Sequence, residues 1–292
     1  MEFKRTSPAK INLLLNILGR QSDGFHALES LMLPLPLCDE LTFESDCQEP
    51  GIELIVSDSK LTPGPENLIH RAAMAFEKAT DIAQHLRIRV QKRIPMEAGL
   101  GGGSSNAAIT LRTLNEIYGH PLSAETLHSL AKELGSDVPF FLHDQPMLAA
   151  GRGEKLQPVE KLGALEGKAL LLIKPPFGVS TAWAYENLCR FPTHLNGKPG
   201  RAKELAQALI DSDLSQVSHL FYNSLEAPVL AKYPLLELMQ DCLRQKGARA
   251  TLMSGSGSTT FALFEDSAEA ILAKKALEQA FGSHHWIEIC AL

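Results

Sequence analysis

The chain has 292 residues, more than one compact domain usually holds, so two domains are expected, each large enough to bury a core of its own. Hydrophobic residues make up 45% and charged residues 21%, which excludes a disordered, fibrous or low-complexity protein. With 28 Lys plus Arg against 34 Asp plus Glu the net charge is −6, which argues against nucleic acid or an anionic membrane as partner; a bound phosphate must be held by local features.

The first sixty residues read as strands and turns. Phe3 to Leu15 alternates in part, Ser22-Asp23-Gly24 is a turn signal, and Glu53 to Val56 follows Pro50-Gly51. The apolar run near the start is broken by Asn16, is too short to span a bilayer and lacks a small-residue cleavage site, so it reads as mature sequence. Pro65-Glu66-Asn67 opens a helix with Leu68, Ala72, Ala75 and Ala79 on one face. Leu86, Ile88 and Val90 then alternate with Arg87 and Arg89 as a half-buried strand. Ala107, Leu111, Leu114 and Tyr118 share a helical face, and Ser123 caps a further helix to about Leu134.

Residues 151–167 are polar and glycine-bearing, and the strand-like Ala169 to Ile173 starts a new block, so the boundary falls here, giving domains 1–155 and 156–292. Helices are expected over Thr181 to Leu188, Ala202 to Ile210 and Leu235 to Lys246, with strands near Thr251, Thr260 to Phe264 and Trp286 to Ile289. The order predicts an α+β chain rather than a regular alternation. Five cysteines, Cys38, Cys47, Cys189, Cys242 and Cys290, form no CxxC pair and suit reduced thiols in the cytoplasm.

The chemistry starts at Pro95-Met96-Glu97-Ala98-Gly99-Leu100-Gly101-Gly102-Gly103-Ser104-Ser105, between a predicted strand and a predicted helix. Small residues let the backbone approach an anion, and the helix beginning near Ser104 offers unpaired N–H groups and a positive dipole end. Ser104 and Ser105 add hydroxyls for phosphate oxygens or magnesium. A flexible linker is the bland alternative, but linkers seldom join a strand to an amphipathic helix. No Lys stands where a Walker loop needs one, and the dinucleotide fingerprint lacks its third glycine and its βαβ setting.

This loop resembles that of the GHMP kinase superfamily, named for galactokinase, homoserine kinase, mevalonate kinase and phosphomevalonate kinase. Ser7-Pro8-Ala9-Lys10-Ile11-Asn12-Leu13 resembles the superfamily's first motif, and Met253-Ser254-Gly255-Ser256-Gly257-Ser258 its third. The resemblance covers nearly the whole chain and implies a two-domain α+β GHMP kinase fold, an ATP-binding N-terminal domain, an active site in the cleft between domains, and MgATP as phosphate donor. Four stretches narrow it to the branch that phosphorylates a cytidine diphosphate-linked methylerythritol: the first motif, Asp23 to Leu28, Leu100 to Ala108, and Gly135-Ser136-Asp137-Val138-Pro139-Phe140-Phe141. Phe25 stands where that branch usually carries Tyr, keeping the ring and losing a hydroxyl.

Phosphoryl transfer needs a hydroxyl held in line and relieved of its proton, with the charge on the moving group neutralised. Taken alone, Asp137 reads as a turn acid and Lys10 as a solvated strand lysine. Beside the three motifs, the resemblance makes them the catalytic pair, with Asp137 either accepting the hydroxyl proton or orienting the group. It adds Asn67 and Lys92 as contacts to adenine or ribose, and Asn12, Phe25, His26, Thr181 and Tyr185 as contacts to the second substrate. By themselves Asn67 is a helix cap, His26 a turn histidine, and the two rings core filling. Two rivals remain: a homoserine- or mevalonate-type kinase, and a ligand sensor that keeps the fold without catalysis.

Overall fold

A computed structural model describes residues 1–45, 51–57 and 62–292; Cys47 and Pro50 lie outside the described residues. Packing sorts the chain into two compact units. The first comprises Met1–Ala9, Leu37–Met96 and Gly101–Asp144; the second comprises Lys10–Pro36, Glu97–Leu100 and Gln145–Leu292. Two long neighbouring strands, β1 (Glu2–Arg20) and β2 (His26–Ser45), contribute residues to both. Packing therefore groups Lys10–Pro36 with the C-terminal residues, whereas composition alone suggests a single boundary near residue 155.

In the first unit β3 (Gly51–Val56) runs parallel to β4 (His85–Gln91), and β4 is antiparallel to Glu40–Ser45 of β2. Leu86, Ile88 and Val90 are buried while His85 and Arg89 are exposed, the expected half-buried alternation. The helix α1 (Leu68–Thr80) starts at Asn67, whose Oδ1 accepts from the Ile69 N–H, and it buries Ile69, Ala72, Ala73 and Phe76. Burying Phe76 completely stabilises the unit by about 1.5–3 kcal/mol. α2 (Gly102–Ile117) begins two residues before the expected start, because Gly101 at φ 70° already turns the chain into it. It packs against α1 and α3 (Ala124–Leu134), so every residue from Ser105 to Asn115 except Arg112 is buried, a wider face than its apolar spacing suggests. Ser123 caps α3, accepting from the Thr126 N–H.

In the second unit β1 is buried on both faces from Lys10 to Ile17, which explains why its pattern alternates only in part. Leu28–Met32 of β2 pair with β5 (Met147–Gly151), which forms a hairpin with β6 (Lys155–Pro158). Gly151 and Gly153, both at positive φ, make that turn, so the first part of the polar stretch read as a boundary is a strand. The chain continues through β7 (Ala169–Lys174), α4 (Thr181–Asn187), α5 (Pro192–Leu195), α6 (Arg201–Asp211), α7 (Leu214–Val217) and β8 (Tyr222–Asn223), which pairs parallel with β1. It ends with α8 (Glu226–Lys232), α9 (Pro234–Gln245), β9 (Ala250–Met253), β10 (Thr260–Phe264), α10 (Ser267–Phe281) and β11 (Trp286–Ala291). Among the described residues a four-stranded antiparallel sheet has the order β11-β7-β10-β9, with Met239 and Leu243 of α9 and Ala270, Ala273 and Leu277 of α10 packed on it. α10, not among the expected helices, is capped by Asp266, whose Oδ1 accepts from the Glu269 N–H. No helix among the described residues is long and apolar enough to cross a membrane.

Candidate active site

Polar side chains on a strand buried on both faces must find partners, and Lys10 and Asn12 of β1 do. Lys10 is 3% exposed; its ammonium donates to Asn12 Oδ1 (2.7 Å) and to the Gly99 carbonyl (3.2 Å). Asn12 donates from Nδ2 to Ser30 Oγ (2.8 Å), and its backbone N–H meets Ser254 Oγ (3.3 Å), which in turn donates to the Gly99 carbonyl (2.9 Å). Backbone bonds from Lys10 N to the Leu100 carbonyl (2.9 Å) and from Thr259 N to the Ala98 carbonyl (3.3 Å) complete the junction. Residues of all three glycine-and-lysine motifs thus converge within the second unit. Gly99 lies at φ 73°, and a Cβ there would sit 2.0 Å from the Ser254 carbonyl oxygen, so only glycine fits.

The Ser254–Ser258 turn is clamped from behind. Asn223 Nδ2 donates to the Met253 (2.7 Å) and Gly255 (2.8 Å) carbonyls, and Glu226 Oε1 accepts from Met253 N (2.8 Å) and Gln240 Nε2 (2.6 Å). Burial pushes the Glu226 carboxyl above the usual carboxylate range. Sequence reasoning missed both residues, since Tyr222-Asn223-Ser224-Leu225-Glu226 carries no chemical signature. Thr181, at the start of α4, shares a hydrogen bond with Ser256 (2.8 Å) and so stands beside this turn.

The remaining second-substrate candidates gather around the β1–β2 turn. His26 faces Tyr185 with ring centroids 5.3 Å apart. Burial, then the Arg20 charge, lowers the His26 pKa below the ordinary histidine value. Tyr185 is half-buried against a core of Leu15, Ile17, Leu28 and Leu188, whereas Phe25 is 56% exposed with the Arg152 guanidinium 4.0 Å from its ring centroid. Arg152 is itself paired with Asp23.

In the first unit a buried polar network underlies the loop. Asp39 is fully buried; its Oδ1 accepts from the N–H groups of Arg93 (2.7 Å) and Ile94 (2.9 Å), and its Oδ2 accepts from Lys92 Nζ and Asn106 Nδ2 (3.0 Å). Asn106 Oδ1 also accepts from Lys92 (3.0 Å), and its amide donates to Ser7 Oγ (2.8 Å), which donates to Ser105 Oγ (2.7 Å). The Ser105 hydroxyl is therefore tied down from below. Pro95, Met96 and Gly101 to Ser104 frame the entry to α2; its first turn carries no acidic residue, and its first intrahelical bond is Ser105 N to the Gly101 carbonyl. The N–H groups of Gly102, Gly103 and Ser104 consequently lack intrahelical partners, a donor set suited to phosphate. Asn67 is occupied as the cap of α1 and also donates to the Thr62 carbonyl (3.1 Å). Asp137 is half-buried in the turn between α3 and the short 3-10 segment Pro139–Leu142, where Val138 N bonds the Gly135 carbonyl (3.2 Å).

Residues 67–145 match the model of the GHMP kinases N terminal domain, and residues 205–284 that of the GHMP kinases C terminal domain. The 4-diphosphocytidyl-2-C-methyl-D-erythritol kinase of Pelotomaculum thermopropionicum is 41% identical over 91% of either chain, and that of Citrifermentans bemidjiense 38% over 94% of either. A crystal structure of 4-(cytidine 5'-diphospho)-2C-methyl-D-erythritol kinase superposes with a TM-score of 0.80 at 34% identity, covering 99% of this chain and 100% of the other. Homoserine kinase from Cytophaga hutchinsonii, at 19% identity, covers 100% of this chain and 95% of its own with a TM-score of 0.77, a likeness of fold. With its three motifs joined and relatives of this identity along its length, the chain belongs to the 4-diphosphocytidyl-2-C-methyl-D-erythritol kinases of the GHMP kinase family.

Proposed function

We propose that the protein transfers the γ-phosphate of MgATP to the 2-hydroxyl of 4-diphosphocytidyl-2-C-methyl-D-erythritol, releasing the 2-phosphate and ADP in the non-mevalonate route to isoprenoid precursors. The observation that carries this reading is the junction of Lys10, Asn12, Gly99 and Ser254, in a chain 41% identical to a kinase of that name. The nucleotide is held by the loop from Pro95 through Met96, Glu97, Ala98, Gly99, Leu100, Gly101, Gly102 and Gly103 to Ser104 and Ser105, with Asn67 and Lys92 at its base and ribose. An ammonium has three donors, and Asp39 and Asn106 take two from Lys92, which holds that side chain in place. Magnesium bound with the phosphates would supply positive charge to the transferred group. Ser104 would be the serine to hold it, since Ser105 is fully buried and accepts from Ser7.

In the reaction the substrate oxygen forms a bond to the γ-phosphorus, the bond to the β,γ-bridging oxygen breaks, and ADP leaves. Asp137 receives or orients the hydroxyl proton, and Lys10 supplies positive charge beside the acceptor. Asn12, His26, Phe25, Thr181 and Tyr185 bind the second substrate, with the cytosine against an aromatic face. The cysteines, scattered without a CxxC pair, suit a cytoplasmic enzyme.

ADP formation measured against a panel of the cytidylated methylerythritol, homoserine and mevalonate tests the reading. Turnover is expected with the first alone. Faster turnover of either other acceptor overturns the substrate assignment, and MgATP binding without turnover of any acceptor favours the non-catalytic sensor.

A further inference from the structure

Ser30 lies on β2, 1% exposed, outside every motif that the sequence singles out. Its hydroxyl donates to the Leu14 carbonyl (2.6 Å), and a hydroxyl has only one proton to give. Toward Asn12 it can therefore only accept, and it does so from Nδ2 at 2.8 Å. This proton count decides which way the Asn12 amide faces. Turned over, the amide would set its oxygen against a hydroxyl without a proton to offer and its NH₂ against the Lys10 ammonium, two donors face to face. In the orientation present, Asn12 Oδ1 receives the ammonium at 2.7 Å. The chain Leu14 carbonyl, Ser30, Asn12, Lys10 and Gly99 carbonyl is a one-way series of hydrogen bonds ending at the phosphate loop.

We propose that Ser30 is a positioning residue: by fixing the polarity of the Asn12 amide it sets the place of the Lys10 ammonium. The proposal rests on the reading of Lys10 as the cation of phosphoryl transfer. Its effect falls on turnover rather than on nucleotide binding, because Ser30 reaches the reacting groups only through Asn12 and Lys10.

Three variants and two readouts test it. Ser30→Ala is expected to lower kcat about 10- to 100-fold, the scale of a catalytic group slightly misplaced, with the KM for MgATP changed less than about twofold. Ser30→Thr keeps the hydroxyl and is expected within about threefold of wild type. Should Ser30→Ala not fold, Ser30→Cys fills the same space with a poor donor and acceptor and is expected to show the same loss. Independently of turnover, NMR of ¹⁵N-asparagine-labelled protein, with the Asn12 side-chain pair assigned by its loss in Asn12→Ser, should show that pair protected from solvent exchange in wild type and unprotected in Ser30→Ala or Ser30→Cys. Wild-type kcat in the folded Ala or Cys variant, a Thr variant as slow as Ala, or an unchanged Asn12 amide pair overturns the proposal. If wild type turns over no acceptor in the panel, the function assigned above fails, and the NMR result still decides the amide.

Discussion

At the scale of single residues, the proposed catalytic cation is a buried group held by neutral oxygen acceptors. Lys10 is almost fully buried among Asn12 and the Gly99 carbonyl, so replacing it removes both a cation and the acceptors' partner. Asp137→Asn keeps shape and loses charge; kcat is expected to fall about 10²–10⁴-fold, as for a positioned base, with the KM for MgATP nearly unchanged. Steady-state kinetics on Asp137→Asn, Lys10→Ala and the double variant check this, since groups acting as a unit give a double loss smaller than the product of the single ones. Near-normal turnover of Asp137→Asn would sink its assignment. Tyr185 carries a mixed expectation, because it faces His26 while resting on the apolar core. Tyr185→Ala is expected to cost about 1–3 kcal/mol of affinity for the cytidylated substrate, the range for a base on an aromatic platform, and to lower the melting temperature as well. Tyr185→Phe keeps the ring and both properties. Calorimetric titration with each substrate beside an unfolding curve separates the two contributions, and intact substrate affinity in folded Tyr185→Ala would leave the ring a core residue only.

At the scale of elements, the loop between β4 and α2 is shaped by contacts that glycine alone permits. Gly99→Ala would place a methyl 2.0 Å from the Ser254 carbonyl at a left-handed φ of 73°. Backbone strain and overpacking together are expected to cost about 2–5 kcal/mol of stability, and turnover should collapse as the third motif is pushed away from Lys10. Gly119, at φ 76° with open space around its Cα, supplies the control: Gly119→Ala meets the backbone strain alone, expected at about 1–2 kcal/mol. Urea unfolding of both variants measures the difference. Equal destabilisation by the two would mean that the contact with Ser254 does not constrain the loop.

At the scale of the molecule, histidine burial makes stability depend on pH. His26, His143 and His285 all have pKa values lowered chiefly by burial. The unfolded chain therefore binds protons that the folded one refuses, so these groups contribute stability that is present above the ordinary histidine value and lost as pH falls through the lowered one. Glu226 runs the other way, its pKa being raised by burial; its contribution is present below the ordinary glutamate value and lost as pH rises through the raised one. Glu226→Gln keeps the Oε1 acceptor for Met253 N and removes the buried charge. Its melting temperature should exceed that of wild type toward pH 8, and the gap should shrink toward pH 5. Thermal melts across pH 5–8 check this, and a gap that does not vary with pH would mean that folding leaves the Glu226 pKa unchanged.

Local sequence was enough wherever one element determines its own state: β4 from its period of two, the caps Asn67 and Ser123 from their side-chain oxygens, the loop from glycines between a strand and a helix. It was also enough for the family, because the three motifs are short and carry their chemistry in contiguous residues. Tertiary structure decided what depends on residues far apart in the chain. Asp39 reads as one more charge on a strand until folding buries it against Lys92 and Asn106, more than fifty residues away. Asn223 and Glu226 acquire their role only because β8 lies beside β1 and delivers them to the Ser254–Ser258 turn. The wide burial of α2 follows from helices packed around it, and the grouping of Lys10–Pro36 with the C-terminal residues follows from long strands serving two cores. Hydrogen-bond partners and burial are properties of pairs, and a linear pattern specifies a pair only when both members lie within one element.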